Sequence, residues 1–221
     1  NLAGAFGAAV GIGSSTAISV KLGQKDYEAA ENILGNTVTL NLIIGLSFGI
    51  ICLIFLDPIL RFFGASNATI PYARSFMQII LIGNVITHMY LGMNAMLRAA
   101  SKPKLAMVAT IFTVVMNILL DTLFIPILHF GIRGAACATV ISQILALSYQ
   151  MHIFTNKHQL LHLKRGIYRL KADLIKNIIA IGISPFLMNA CACIIVIFMN
   201  NQLVDYGGDL AVGAYGIANG I

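Results

Sequence analysis

Long uncharged runs closed by charged residues organise this chain. Residues 1–20 carry no charge. Glu31 and Asp57 enclose 25 uncharged residues, Arg74 and Arg98 enclose 23, Arg133 and Lys157 enclose 23, and Lys176 and Asp205 enclose 28. Lys104 and Arg133 enclose 28 residues interrupted only by Asp121. A last apolar run starts at Leu210. A bilayer core is crossed by roughly 20 apolar residues of helix, because backbone groups in lipid must satisfy one another. The pattern predicts five full spans and two partial ones. Punctuation agrees with it: Pro71 and Pro103 fall near helix starts, Asp57-Pro58 closes a span, Gly64 and Gly131 sit in short turns, and Pro185 lies inside a span. The fold class expected is an all-α polytopic membrane protein.

Composition strengthens this reading. Of the 221 residues, 58% are hydrophobic and 10% charged, against about 25% charged in a soluble domain. So little charge excludes a soluble enzyme and a nucleic-acid-binding tail. The net charge of +6 instead orients the chain. If spans alternate in direction, one set of loops holds 11 Lys and Arg and the other holds three, Arg61, Arg74 and Arg133. The richer set belongs in the cytoplasm. It includes a basic connector, residues 156–176, expected either as an amphipathic surface helix (Leu160, Leu161, Leu163, Ile167, Leu170) or as a solvated linker. Cys52, Cys137, Cys191 and Cys193 lie in apolar runs, without disulfide or zinc spacing.

Gly4–Ile12 resembles Gly213–Ile221, with six of nine positions identical, and the second copy opens a span six spans after the first. Two parallel six-span bundles would give this repeat, hence about twelve spans in all. The division expected is 1–155 as a first lobe (spans 2–6), 156–176 as the connector, and 177–221 as the start of a second lobe, with span 7 and part of span 8. The absent initiator Met fits a fragment lacking its first helix.

Most acidic residues lie in loops or at span edges; Asp121 does not. It sits about 25 Å from the cytoplasmic end of its span at 1.5 Å per residue, in the outer half. A carboxylate there costs at least about 2.5–3.5 kcal/mol to insert and is a functional candidate by default. A protonated or snorkelling Asp near the outer interface is the alternative. Thr113 and Asn117 share its helix face. Asn94 and Thr139 on flanking spans add an amide and a hydroxyl, although a lone Thr commonly bonds its own helix. Oxygen donors of this kind suit a hard cation or a proton.

The runs Leu97–Lys104, Asn117–Ile125 and Gly131–Gln143, with Gly23–Ala30 and Gly182–Pro185, resemble the multidrug and toxic compound extrusion (MATE) family over the whole chain. The resemblance implies twelve helices in two lobes, alternating access, and export of cationic or amphipathic drugs in exchange for Na⁺ or H⁺. It also implies a first-lobe cation site, Na⁺ included, to which Asn94, Asn117, Asp121 and Thr139 correspond. A second-lobe acid known in another branch has no counterpart in Phe186–Cys193.

Met89 and Met93, with Thr113 and His88, are candidates for a substrate cavity; core packing for the methionines and a helix–helix hydrogen bond for His88 are the plainer readings. Phe48, Phe76, Phe112 and Phe198 have no assignable direction. A related flippase for lipid-linked oligosaccharide or polysaccharide is the alternative function, opposed by the lack of Lys or Arg within the spans. An intramembrane enzyme lacks a catalytic pair. The partners expected are small amphipathic or cationic molecules and the bilayer, with no nucleic acid, no cofactor beyond the coupling ion, a monomeric state, and a place in the bacterial inner membrane.

Overall fold

The computed structural model describes residues 2–219 except 64, 66–68, 128, 157–160, 165 and 168–169; side chains of 2–4, 8, 205, 207–213 and 217–219 are also left undescribed. Eight helices follow in order: α1 (Leu2–Gly23), α2 (Tyr27–Ile54), α3 (Leu56–Phe62), α4 (Ile70–Ile82), α5 (Asn84–Ala99), α6 (Pro103–Phe124), α7 (Ile132–Thr155) and α8 (Ala172–Asn219). No strand occurs among the described residues. Five helices are long and apolar enough to cross a membrane, and α4 with α5 makes a sixth, broken span.

Local chemistry explains the helix ends. The Asp26 carboxylate accepts from the Ala29 N–H at 3.2 Å and caps α2. Pro71 and Pro103 occupy first turns, where no N–H is needed. Gly131 precedes α7 at φ +54°, a conformation that favours glycine. Gly64 lies outside the described residues.

The core runs between α1, α2 and α5, where Ile18, Leu34, Met93, Met96 and Leu97 are fully enclosed. Elsewhere the helices turn large apolar side chains outward. Met107, Ile111, Val115, Ile118 and Leu119 form such a face on α6, and Ile194, Ile195 and Phe198 extend one on α8. Apolar surface on this scale needs lipid or protein against it. The charges sort to opposite ends. Arg74 pairs with Asp57 at 3.5 Å, and Arg133 donates to Ser75 Oγ at 3.2 Å. At the other end, Lys21 pairs with Asp26 and Lys164 with Glu31.

Three expectations need correction. The uncharged run from 75 to 97 is not one straight helix: α4 and α5 meet at 55°. Val140 fills the space a Cβ on Gly83 would take, 2.5 Å away, and Asn84 Nδ2 donates to the Gly45 carbonyl of α2 at 2.8 Å. A glycine pressed on a neighbour, followed by an amide drawn to another helix, gives the break a local cause. Second, the described part of the connector ahead of α8 is not a surface helix, and it is solvated only in part. Residues 161–164 and 166–167 are irregular, and Leu161 and Ile167 are buried; Leu160 lies outside the described residues. Short-range polar contacts to α2 win over helix formation here. Lys164 Nζ donates to Glu31 at 2.6 Å, His162 Nδ1 lies 3.2 Å from the same carboxylate, and Asn36 accepts from the Lys171 N–H at 2.8 Å. Third, α8 starts at Ala172 and continues to Asn219, so the stretch from Leu210 prolongs a helix instead of opening a new one. Charges such as Asp205 limit a membrane span without ending a helix, which needs a capping signal. Most side chains of the repeat copy, 213–221, are not among those described.

Candidate cation and substrate site

On α6 the polar stripe lies away from the exposed apolar face, on the side that carries small alanines. Ala106 and Ala109 are buried, and Thr113, Asn117 and Asp121 on the same side are half-buried. That side faces α7. A Cβ on Gly134 would lie 3.1 Å from the Phe124 Cβ, so the end of α6 and the start of α7 run close. One turn and more further along the seam, Asn117 Nδ2 donates to Thr139 Oγ1 at 3.4 Å. The Thr139 hydroxyl in turn donates to the Ala135 carbonyl at 2.9 Å. Asp121 falls between these two contacts along the seam.

Its oxygen Oδ1 is buried and has no hydrogen-bond partner. A carboxylate oxygen removed from water without a donor is costly. Asn117, one turn earlier on the same helix face, and its partner Thr139 carry an amide oxygen and a hydroxyl oxygen. These oxygens are the donor types that a hard cation takes up.

Asn94 is placed elsewhere. Its Nδ2 donates to the Ala106 carbonyl at 3.1 Å and to Thr110 Oγ1 at 3.2 Å, and its Oδ1 accepts from Arg98 at 2.7 Å. Thr110 is 11 residues before Asp121, about 16 Å along the helix. The structure therefore brings Asn117, Asp121 and Thr139 to one seam and ties Asn94 to the N-terminal part of α6. Thr113 donates to the Ala109 carbonyl of its own helix at 2.8 Å.

The residues expected around a substrate cavity divide differently. Met93 is fully enclosed in the core and Met89 packs against it, so both fill space between helices. His88 is fully enclosed as well. An open pocket lies instead between α1, α2 and α8. It has a volume of about 280 Å³ and an apolar wall that includes Phe6, Val10, Ile44, Ile183 and Phe186. The Phe6 ring centroid is 4.8 Å from that of Phe186 and 5.3 Å from that of Phe48. The sequence named Phe48 without a direction and passed over Phe6 and Phe186. The spacing Phe6, Ala9, Val10, Gly13 was the available signal, since it puts a ring and small residues on one face of α1. Phe112 and Phe198 point outward.

A bundle of antiparallel apolar helices with an unpaired carboxylate inside it defines a multi-pass membrane protein. Comparison with known proteins narrows this. The MatE family model matches residues 1–123. The multidrug export protein MepA of Staphylococcus haemolyticus is 30% identical over 214 residues, 97% of this chain and 47% of MepA. MepA of Staphylococcus aureus strain MRSA252 is 26% identical over 94% of the chain and 46% of its own length. A solved multidrug resistance MATE transporter of the MOP superfamily superposes in its inward-facing conformation with a TM-score of 0.90 at 27% identity, over 96% of this chain and 48% of that one. An outward-facing MATE transporter of the same superfamily superposes at 0.86, also at 27% identity, over 98% of this chain and 48% of that one. The chain belongs to the MATE family, and it spans about half the length of the curated relatives it matches.

Proposed function

We propose that this chain forms the cation-loading half of a secondary antiporter that exports amphipathic or cationic drugs in exchange for Na⁺ or H⁺. The observation that carries the reading is the buried, unpartnered oxygen of Asp121 beside the Asn117–Thr139 pair. An unneutralised charge at this depth is unfavourable by several kcal/mol. Loading a cation or a proton removes that penalty, and unloading restores it. A cycle that exposes the carboxyl to each side in turn thereby links ion movement to the movement of the lobe. The names of the relatives, multidrug export proteins, support a drug as the other cargo.

The phenylalanine-lined pocket between α1, α2 and α8 suits that cargo. Its wall offers apolar area and aromatic faces without fixed polar partners. Such a wall accepts many shapes, and ring faces attract an organic cation by about 0.5–2 kcal/mol each. The protein would act as a monomer in the bacterial inner membrane, with the connector in the cytoplasm.

The test is Asp121→Asn in the full-length protein, expressed in a cell lacking its own drug pumps. The variant should insert at the wild-type level and give no protection against exported drugs. Full protection by the variant removes Asp121 from coupling. Asn117→Ala should weaken the dependence on the coupling cation more than drug recognition, and an unchanged cation dose-response rejects its role as a ligand.

A further inference from the structure

Away from the Asp121 seam, α1, α2 and α5 enclose a second set of polar side chains. Ser14, Asn41, Asn84 and His88 are each at most 2% exposed. Part of this set is accounted for. Asn84 Nδ2 donates to the Gly45 carbonyl at 2.8 Å, and His88 Nδ1 lies 3.1 Å from the Asn84 carbonyl oxygen. The remainder has no hydrogen-bond partner: Ser14 Oγ, both amide atoms of Asn41, and His88 Nε2. Buried polar side chains almost always have a partner, either protein or ordered water.

Glycines show how these groups come together. A Cβ on Gly7 of α1 would stand 3.6 Å from the His88 ring, and one on Gly45 of α2 would stand 3.4 Å from its Cβ. A Cβ on Gly92 of α5 would meet Asn41 Nδ2 at 2.3 Å, so the Asn41 amide lies flat on the α5 backbone. Asn41 and Gly45 are one turn apart on α2, as Gly92 and His88 are on α5. Asn41 therefore occupies the turn next to His88 in the same seam, about 6 Å along the helix axis. Ser14 shares the face of α1 that carries Gly7 and Gly11.

We propose that His88 is a proton-accepting site in its own right, with one water held between its Nε2 and the carboxamide of Asn41. With a proton on Nδ1 directed at the Asn84 carbonyl, the neutral ring leaves Nε2 as a bare acceptor. A proton delivered by hydronium forms the Nε2–H bond, water is released from the hydronium, and the ring gains one positive charge. The new Nε2–H donates to the held water. The Asn41 amide offers both a donor and an acceptor, so the water keeps a partner in either state. Among the described residues, no ion pair or hydrogen bond joins a charged group to His88. α1 and α2 present glycines to the ring. Lys21, Glu31, Arg98, Arg133 and His152 lie near helix ends, and Asp121 is about 10 Å further toward the outer side by helix rise. Protonation also strengthens the hold on Asn84, the first residue after the 55° break. This site is additional to the Asp121 reading and does not depend on it.

The test is ¹⁵N-histidine NMR of the full-length protein in nanodiscs, with the His88 signals assigned by their loss in His88→Gln. Glutamine keeps a donor and an acceptor but does not titrate. Between about pH 4 and 9, the range in which imidazoles change charge, the His88 Nε2 signal should move through one titration while Nδ1 stays protonated. Asn41→Leu should lower the midpoint by about one unit, because the charged form loses its water; that is a tenfold weaker hold on the proton. Loss of the signal in His88→Asn assigns it if His88→Gln does not fold. A His88 signal fixed across the whole range overturns the proposal, as does an Asn41→Leu midpoint equal to wild type. Asp121→Asn in the same experiment should leave the titration in place, so a failure of Asp121 as the coupling residue is read separately.

Discussion

The contact between α1 and α8 is set by two glycines, and Gly182→Ala tests it. A Cβ at position 182 would sit 2.3 Å from the Ala9 carbonyl oxygen and 2.9 Å from its carbon. At position 13 a Cβ would sit 2.2 Å from the Ile178 carbonyl oxygen. These obstacles are backbone atoms of a helix, which no rotamer change can move. Ordinary van der Waals separation is about 3.5 Å, so one methyl group forces the helices apart by roughly 1 Å. Overpacking of this kind costs about 1–3 kcal/mol. For a domain of this size each kcal/mol lowers the melting midpoint by about 2–4 °C, which gives an expected fall of about 2–12 °C. The assay is thermal unfolding of the purified full-length protein in detergent at a fixed heating rate. Gly23→Ala is the control, since nothing lies within 4 Å of a Cβ there, and it should melt with wild type or slightly above. If Gly182→Ala melts within a degree of wild type, the close α1–α8 approach is not what holds these helices together.

Other consequences follow from polar contacts. Glu31→Gln removes the charge that Lys164 and His162 face, and with Lys164 half exposed the loss is about 1–2 kcal/mol. Trypsin should then cut the connector at Lys164 about tenfold faster, and an unchanged rate means that the ion pair does not hold the connector down. Thr139→Val keeps the shape of the side chain but deletes the acceptor of the Asn117 amide. It should raise the cation concentration needed for half-maximal export about tenfold at equal expression; an unaltered dose-response separates that hydroxyl from cation binding. Asn84→Ala leaves the Gly45 carbonyl without its donor and should lower the melting midpoint by a few degrees, since intramembrane hydrogen bonds average about 0.6 kcal/mol and reach about 1.7. A midpoint equal to wild type would show that the amide does not stabilise the break.

What could be read before the coordinates were those features that depend on one residue type in one run. Apolar length located the spans, and the distribution of Lys and Arg sorted the two ends, because both are properties of the bilayer rather than of neighbouring helices. Asp121 with Asn117 was visible for the same reason: a carboxylate in an apolar run is conspicuous, and four-residue spacing fixes a common face. What depended on the other helices was not visible. Asn94 bonds Ala106 and Thr110 in the N-terminal part of α6, which no spacing within its own helix announces. The break at Gly83 arises from Val140, 57 positions away in sequence, and from Gly45 on another helix. The connector is held by Glu31, which in the sequence marks only a span boundary, and by Asn36, an uncharged residue inside the run. The pocket needed Phe6 and Phe186 to meet across α1 and α8, a contact made possible by glycines whose importance lies in the opposing backbone.

The Asp121 carboxyl is the group proposed to load and release the coupling ion. Vesicles containing the full-length protein, given an outward drug gradient and an internal Na⁺ or pH reporter, test it most directly. Wild type should drive Na⁺ or H⁺ in the direction opposite to the drug, and Asp121→Asn should move neither ion above the rate of empty vesicles. Ion movement by the Asp121→Asn protein at the wild-type rate would contradict the account.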